Sequence, residues 1–193
     1  FVERVVACAD GLPLYVHLLL EDLRHGQLTV WDEQRLPVGL VAYYDELLNR
    51  IGLSDLKRDL PLLIACLARA EEPLDLESLA LLLADVPTEA PRYHERVRNA
   101  ARAGQALLRT VPIGDGVTGL TLYHQSFRDY VGGRPASDRN PATLPAAALR
   151  GTVRDAEIKL CRLARNWAEL PSGHLRNHLL HWGVRYDMRW QGT

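Results

Sequence analysis

Tyr123-His124-Gln125-Ser126-Phe127-Arg128-Asp129-Tyr130-Val131, residues 123–131, is where the chain changes its period. Before it, Leu120, Leu122 and His124 alternate with Thr121 and Tyr123, the repeat of a half-buried strand. After it, Phe127, Tyr130 and Val131 recur at helical spacing. The change falls at His124. An imidazole there is fixed by the strand on one side and faces the unpaired N–H groups of the next helix's first turn on the other, a position suited to reading an anion. The ordinary alternative on local pattern is a surface histidine or a hydrogen-bonded core histidine.

Upstream, residues 107–113 and 117–123 flank Gly114-Asp115-Gly116, a hairpin signal. Pro87-Thr88-Glu89 leads into a long helix through Val97, Ala100, Ala101, Gly104 and Leu108, and residues 75–84 read as a short one. Ahead of these, Ser54 or Asp55 can cap a helix whose stripe is Leu56, Leu60, Leu63, Ile64 and Leu67 and which Glu71-Glu72-Pro73 ends. Pro61 fits that helix only if its first turn begins later than Asp55. Three helices, a hairpin and a further helix make a winged helix, assigned to residues 54–133.

The N-terminal stretch is helical. Val2, Val5, Val6 and Ala9 share one helix face, and Asp10-Gly11 stops it. Leu12 opens a second helix with Pro13 near its first turn, where the missing N–H costs nothing and the fixed φ favours a helix start. Leu14, Val16, Leu18, Leu19, Leu20 and Leu23 make it apolar over most of its surface, and Arg24-His25-Gly26 ends it. Residues 31–37 read as a linker, and a third helix carries Leu40, Tyr43, Tyr44, Leu47, Leu48 and Ile51 and ends near Gly52. Residues 1–53 thus form one helical segment. Gly132 to Pro145, rich in Gly, Pro, Ser, Asn and Asp, reads as a mobile connector, followed by a long helix over 146–170 and another from Ser172 or Gly173. Residues 134–193 form this last region, whose apolar faces are those of the start of a helical array. The fold class expected is mainly α with one β-hairpin.

Composition narrows the function. Of 193 residues 47% are hydrophobic, yet no apolar run reaches the length of a membrane span. The formal charge is −1, from 23 basic and 24 acidic side chains, so no global field calls for nucleic acid or an anionic membrane. Lys57 and Lys159 are the only lysines, an arginine bias compatible with a GC-rich bacterial coding sequence. Cys8, Cys66 and Cys161 are far apart and lie in apolar helical contexts, which fits a reducing cytoplasm. A start at Phe1 and the absence of a leader pattern read as a piece of a longer protein.

Gly11-Leu12-Pro13-Leu14 adds a second anchor. Its glycine permits a sharp corner between helices, and the proline ring offers a flat apolar face with no N–H to desolvate, suited to packing beside an adenine base. With the winged helix and the strand-terminal histidine, it resembles the C-terminal part of the nucleotide-binding module of STAND-class signalling NTPases, the NB-ARC and NACHT proteins. Gly11-Leu12-Pro13-Leu14 is similar to the GLPL motif of their helical lid. Leu122-Tyr123-His124-Gln125 stands where they carry Met-His-Asp, and Ser126-Phe127-Arg128-Asp129-Tyr130 is similar to the following helix in bacterial members. Residues 36–48 look like the helix linking lid to winged helix, and 175–182 like the start of the sensor region. The resemblance covers residues 1–133 well and 146–193 loosely.

The resemblance implies that Pro13 contacts the nucleotide base and that His124 contacts the β-phosphate of bound ADP, locking a resting state. Gln125 departs from the family's aspartate and does not supply its charge. The chain has no G-x-x-x-x-G-K-[ST] loop and no strand ending in acidic residues for magnesium, so by itself it is not expected to hydrolyse a nucleotide. The cofactor implied is ADP or ATP in a parent protein, not retained tightly by these residues alone. The implied partners are an upstream P-loop domain and a downstream sensor or repeat domain of the same chain, with homo-oligomers on activation, no membrane and a cytoplasmic location.

Three other readings compete. Winged helices commonly place their third helix in a DNA major groove, and Arg92, Arg96, Arg98, Arg102 and Arg109 lie on or near that helix, diluted by Glu89 and Glu95. A helical protein-interaction scaffold is the second. Metal binding is the third, since His174, His178 and His181 have i, i+4, i+7 spacing, but no Cys or carboxylate completes a set locally and hydrogen-bonded packing accounts for them better.

Overall fold

The computed structural model describes residues 1–24, 26, 36–51, 59–84, 86–114, 116–132 and 144–191. The Ser54 or Asp55 cap, Asp115 of the hairpin, most of the 31–37 linker and most of the connector lie outside the described residues. The chain divides into two compact units, Phe1–Gly52 and Leu53–Thr193.

The first unit holds α1 (Val2–Ala9), α2 (Pro13–Arg24) and α3 (Gly39–Arg50). Asp10 and Gly11 both take left-handed backbone, φ 46° and 72°, which reverses the chain in two residues and sets Pro13 as the first residue of α2. Tyr15, Leu19, Tyr43 and Leu48 form the core, with the Tyr15 and Tyr43 rings edge to face at 6.0 Å. Tyr15 donates its hydroxyl proton to the Pro37 carbonyl at 2.6 Å, tying α2 to the segment leading into α3.

The second unit is built around α4 (Asp59–Arg69). No polar side chain interrupts residues 60–68, and Leu60 and Leu62 through Ala68 are all buried, as expected of a helix apolar on every side. Its described span begins at Asp59, which puts Pro61 in the first turn, where proline is tolerated. After the turn at Glu71-Glu72-Pro73 come β1 (Leu74–Asp75) and α5 (Leu76–Leu83), whose N-cap Asp75 accepts the Ser78 N–H at 2.8 Å. A 3-10 turn at Pro87–Glu89 leads into α6 (Ala90–Ala103), and then β2 (Leu108–Gly114), β3 (Val117–Leu122) and α7 (Gln125–Val131) follow.

Among the described residues the sheet has three antiparallel strands in the order β1-β3-β2, so the expectation of a hairpin alone is corrected. β1 adds to the free edge of β3 through Leu74 opposite Leu120 and Asp75 opposite Gly119. Two residues carry no readable period, and their pairing is decided by an edge formed far along the chain.

Helices α8 (Leu144–Arg165) and α9 (His174–Gln191) pack against one another, and α8 lies along α4 in the same unit. The long helix ends at Arg165 instead of running to Leu170. A 3-10 turn at Trp167–Glu169 follows, and Leu170 is extended, φ −73° and ψ 146°, because it precedes Pro171. Lys159 of α8 reaches the carbonyls of Leu82, Leu83 and Ala84 at 3.2–3.4 Å, a cation at the C-terminus of α5.

Candidate functional site

Packing from three directions holds His124. Leu122 ends β3 buried, and the Tyr123 N–H donates to the Leu107 carbonyl at 2.9 Å, extending the ladder one step past the strand. Phe127, Tyr130 and Val131 bury the inner face of α7, with the Phe127 and Tyr130 rings stacked at 5.9 Å. His124, extended at φ −142° and ψ 150°, is the N-cap between them and is exposed.

The imidazole itself makes the cap. Its Nδ1 accepts the Ser126 N–H at 3.1 Å and lies 2.9 Å from the Ser126 hydroxyl. A nitrogen that accepts carries no proton, so the neutral ring bears its hydrogen on Nε2. Nε2 has no partner among the described residues. A donor is therefore presented outward at an orientation fixed by backbone.

One part of the anion expectation is corrected. The Ser126 N–H is taken by the ring, and the Phe127 and Arg128 N–H groups are directed to the His124 carbonyl at 3.2 and 3.3 Å. The first turn of α7 thus has little to offer an anion through its backbone, and the imidazole N–H is what remains. Gln125 donates to Asp129 Oδ1 at 3.0 Å and points along α7.

Beside the cap a polar cleft of about 200 Å³ opens between α4 and α7, lined by Arg69, Glu71, Gln125, Arg128 and Asp129. Arg128 Nη1 donates to the Ala70 carbonyl at 2.7 Å. Arg69 Nε lies 2.9 Å from Glu157 Oε1, a close ion pair outside hydrogen-bond alignment. Both guanidiniums are engaged, so the cleft walls are braced by internal charge.

Pro13 lies in the first unit, exposed at the start of α2 on the Asp10-Gly11 corner, with Leu14 half-buried behind it. Pro13 and His124 belong to different units and are each described within their own.

The arginines near α6 are largely committed. Arg96 binds both oxygens of Asp59, Nε to Oδ2 at 2.8 Å and Nη2 to Oδ1 at 2.5 Å, and its guanidinium lies 4.4 Å from the Tyr93 ring centre. Arg98 pairs with Glu95 at 3.4 Å, and Arg102 donates to Asn99 at 3.1 Å. The three histidines of α9 do not converge either. His174 Nε2 lies 3.0 Å from the Pro73 carbonyl, His178 Nε2 2.6 Å from the Tyr186 hydroxyl, and His181 Nδ1 3.1 Å from the Asn177 carbonyl. Among the described residues no three His, Cys, Asp or Glu side chains are grouped to hold a metal ion. No described helix is long and apolar enough to cross a membrane.

Sequence reasoning placed His124 but missed Ser126, whose N–H orients the ring. Histidine is not among the usual N-cap residues, so the pattern held no signal for this use. Comparison of the chain with protein-family models, with curated proteins and with solved structures finds no match.

Proposed function

We propose that this chain is the regulatory lid and winged-helix portion of a STAND-type nucleotide switch, closing over ADP or ATP held by a P-loop domain on the N-terminal side of Phe1. In this reading α1 to α3 are the end of the lid and its linking helix. Residues 59–131 are a winged helix, in which α4, α5 and α6 carry a three-stranded wing. The chain is not itself the hydrolase. Pro13 meets the base and His124 the β-phosphate. The observation that supports this reading best is the fixed tautomer of His124: Nδ1 is occupied by the Ser126 N–H, leaving Nε2–H directed outward as a donor. A phosphate oxygen is the acceptor such a donor fits best.

The test uses the intact parent. A hydrogen bond to a charged group contributes on the order of 1.5 to 3 kcal/mol, so removing one made only in the closed state raises the open-to-closed ratio roughly 10- to 150-fold. His124→Asn keeps an acceptor for the Ser126 N–H and removes the Nε2 donor. It is expected to raise the basal oligomer fraction with the melting temperature nearly unchanged. A variant that stays monomeric and silent at unchanged stability defeats the assignment.

A further inference from the structure

His178 is 2% exposed, and its ring joins α9 to the Glu71-Glu72-Pro73 turn between α4 and β1. Nε2 lies 2.6 Å from the Tyr186 hydroxyl, and that oxygen accepts the Glu71 N–H at 3.2 Å. Nδ1 is buried without a hydrogen-bond partner among the described residues and lies 3.6 Å from Glu72 Oε2. Of the two neutral tautomers, one fits both ends of the ring. The tyrosine O–H donates to Nε2, and the ring's own hydrogen sits on Nδ1, facing the carboxylate. The other tautomer would aim the Nδ1 lone pair at a negative charge. In this tautomer Nε2 is the acceptor. On either side of it along α9, His174 reaches the Pro73 carbonyl at 3.0 Å and Arg185 reaches Glu71 at 3.3 Å, so the helix grips the turn at several points.

We propose that this grip is an acid-releasable clasp: a second proton on His178 takes up the Nε2 lone pair that accepts the tyrosine proton, places a charge in the core, and loosens α9 from the 71–73 turn. The inference does not rest on the nucleotide reading. The groups facing the ring are Glu71 and Glu72 from the turn and His174 and Tyr186 from α9 itself. On the other elements packed here, Arg165 of α8 pairs with Asp187, Glu157 of α8 with Arg69, and Asp75 ahead of α5 accepts the Ser78 N–H.

Burial pushes the His178 pKa below its ordinary 6.5, outweighing the upward pull of Glu72, and His174 pushes it down as well. The unfolded ring takes its proton near 6.5, and the folded ring only at lower pH. The clasp is therefore at full strength above that value and is lost as pH falls through the folded pKa.

Amide exchange on residues 1–193, corrected for the intrinsic pH dependence of the chemistry, reads the opening directly at about pH 8 and about pH 5. Exchange in α9 and in the 71–73 turn is expected to rise on acidification, about tenfold for each unit separating the folded pKa from the unfolded one. His178→Gln, which does not titrate, is expected to lose that rise, and His181→Gln to keep it. An unchanged acid response in His178→Gln, or none in the natural chain, overturns the clasp. An NMR titration of the His178 ring decides the matter even if the glutamine variant folds poorly, because a midpoint at or above the ordinary value also overturns it.

Discussion

Arg50 at the end of α3 closes on Asp22 of α2, Nη2 lying 2.5 Å from Oδ2, and the Tyr43 hydroxyl donates to the same oxygen at 3.0 Å. Asp22 is 7% exposed, and the Nε and Nη1 of Arg50 are buried with no hydrogen-bond partner among the described residues. Among the described residues the carboxylate is thus the guanidinium's hydrogen-bond acceptor. Removing one member of such a pair is far more damaging than replacing both. Asp22→Ala is expected to destabilise the first unit by about 3 kcal/mol or more, whereas Asp22→Leu combined with Arg50→Met recovers most of it. Exchange protection across α2 and α3 measures the difference, and equal losses in the two variants would refute this account of the pair.

Tyr15 gives an alkaline signature to the same unit. Burial pushes its phenol from 10.0 up to about 12, with the Cys8 charge adding to the effect and Arg4 opposing it. A raised folded pKa contributes stability that is complete below the unfolded value and is lost as pH rises through the folded one. Unfolding of α1 to α3 is therefore expected to become easier between about pH 10 and 12. Absorbance of tyrosinate followed alongside circular dichroism checks it. Ionisation of every tyrosine near pH 10 with the helices intact would contradict it.

Cys66 on α4 is 0% exposed, and burial pushes its thiol from 9.0 up to about 12, partly offset by Lys159. Alkylation needs both access and thiolate, and the folded unit denies both. At mildly alkaline pH the thiol is expected to react only through opening of the second unit, with a rate that climbs with urea in step with the loss of helix. Mass mapping of the alkylated cysteine tests this. Rapid labelling of Cys66 in the native chain would mean that α4 is not the closed centre of its unit.

Local signals were legible, and long-range choices were not. The Asp10-Gly11 corner, the start of α2 at Pro13 and the hairpin each depend on backbone preferences within a few residues, which a sequence carries openly. β1 was invisible because two residues have no period and their partner, β3, lies more than 40 residues on. The packing of α8 along α4 was equally hidden, since an apolar stripe states that a helix is buried but not against which neighbour. At the candidate site the position of His124 was readable from the change of period. Its tautomer was not, because that depends on the Ser126 N–H reaching Nδ1, a geometric fact of the turn. His178 was read as one member of a histidine row, and its tie to Tyr186, eight residues along the same helix, depends on side-chain geometry that spacing does not carry.

The two tasks assigned to His124 make separable predictions in the chain itself. As a cap it satisfies one N–H of α7 through Nδ1, and losing a cap costs about 0.5 to 2 kcal/mol. His124→Ala is expected to lower the stability of the second unit by roughly 1 kcal/mol. His124→Asn returns an oxygen acceptor at the same point and is expected to stay within about 0.5 kcal/mol of the natural chain. Ser126→Pro is a third probe: it deletes the N–H that orients the ring while placing proline near the helix start, where its backbone is tolerated. Denaturant unfolding of all three variants, with NMR of the His124 ring nitrogens in the natural chain and in Ser126→Pro, ties stability to tautomer. If Nδ1 is the acceptor, Ser126→Pro shifts the nitrogen signals toward a mixture of tautomers and His124→Asn preserves stability. A ring that shows the same tautomer with and without the Ser126 N–H would remove the orienting bond from which the outward Nε2 donor was deduced.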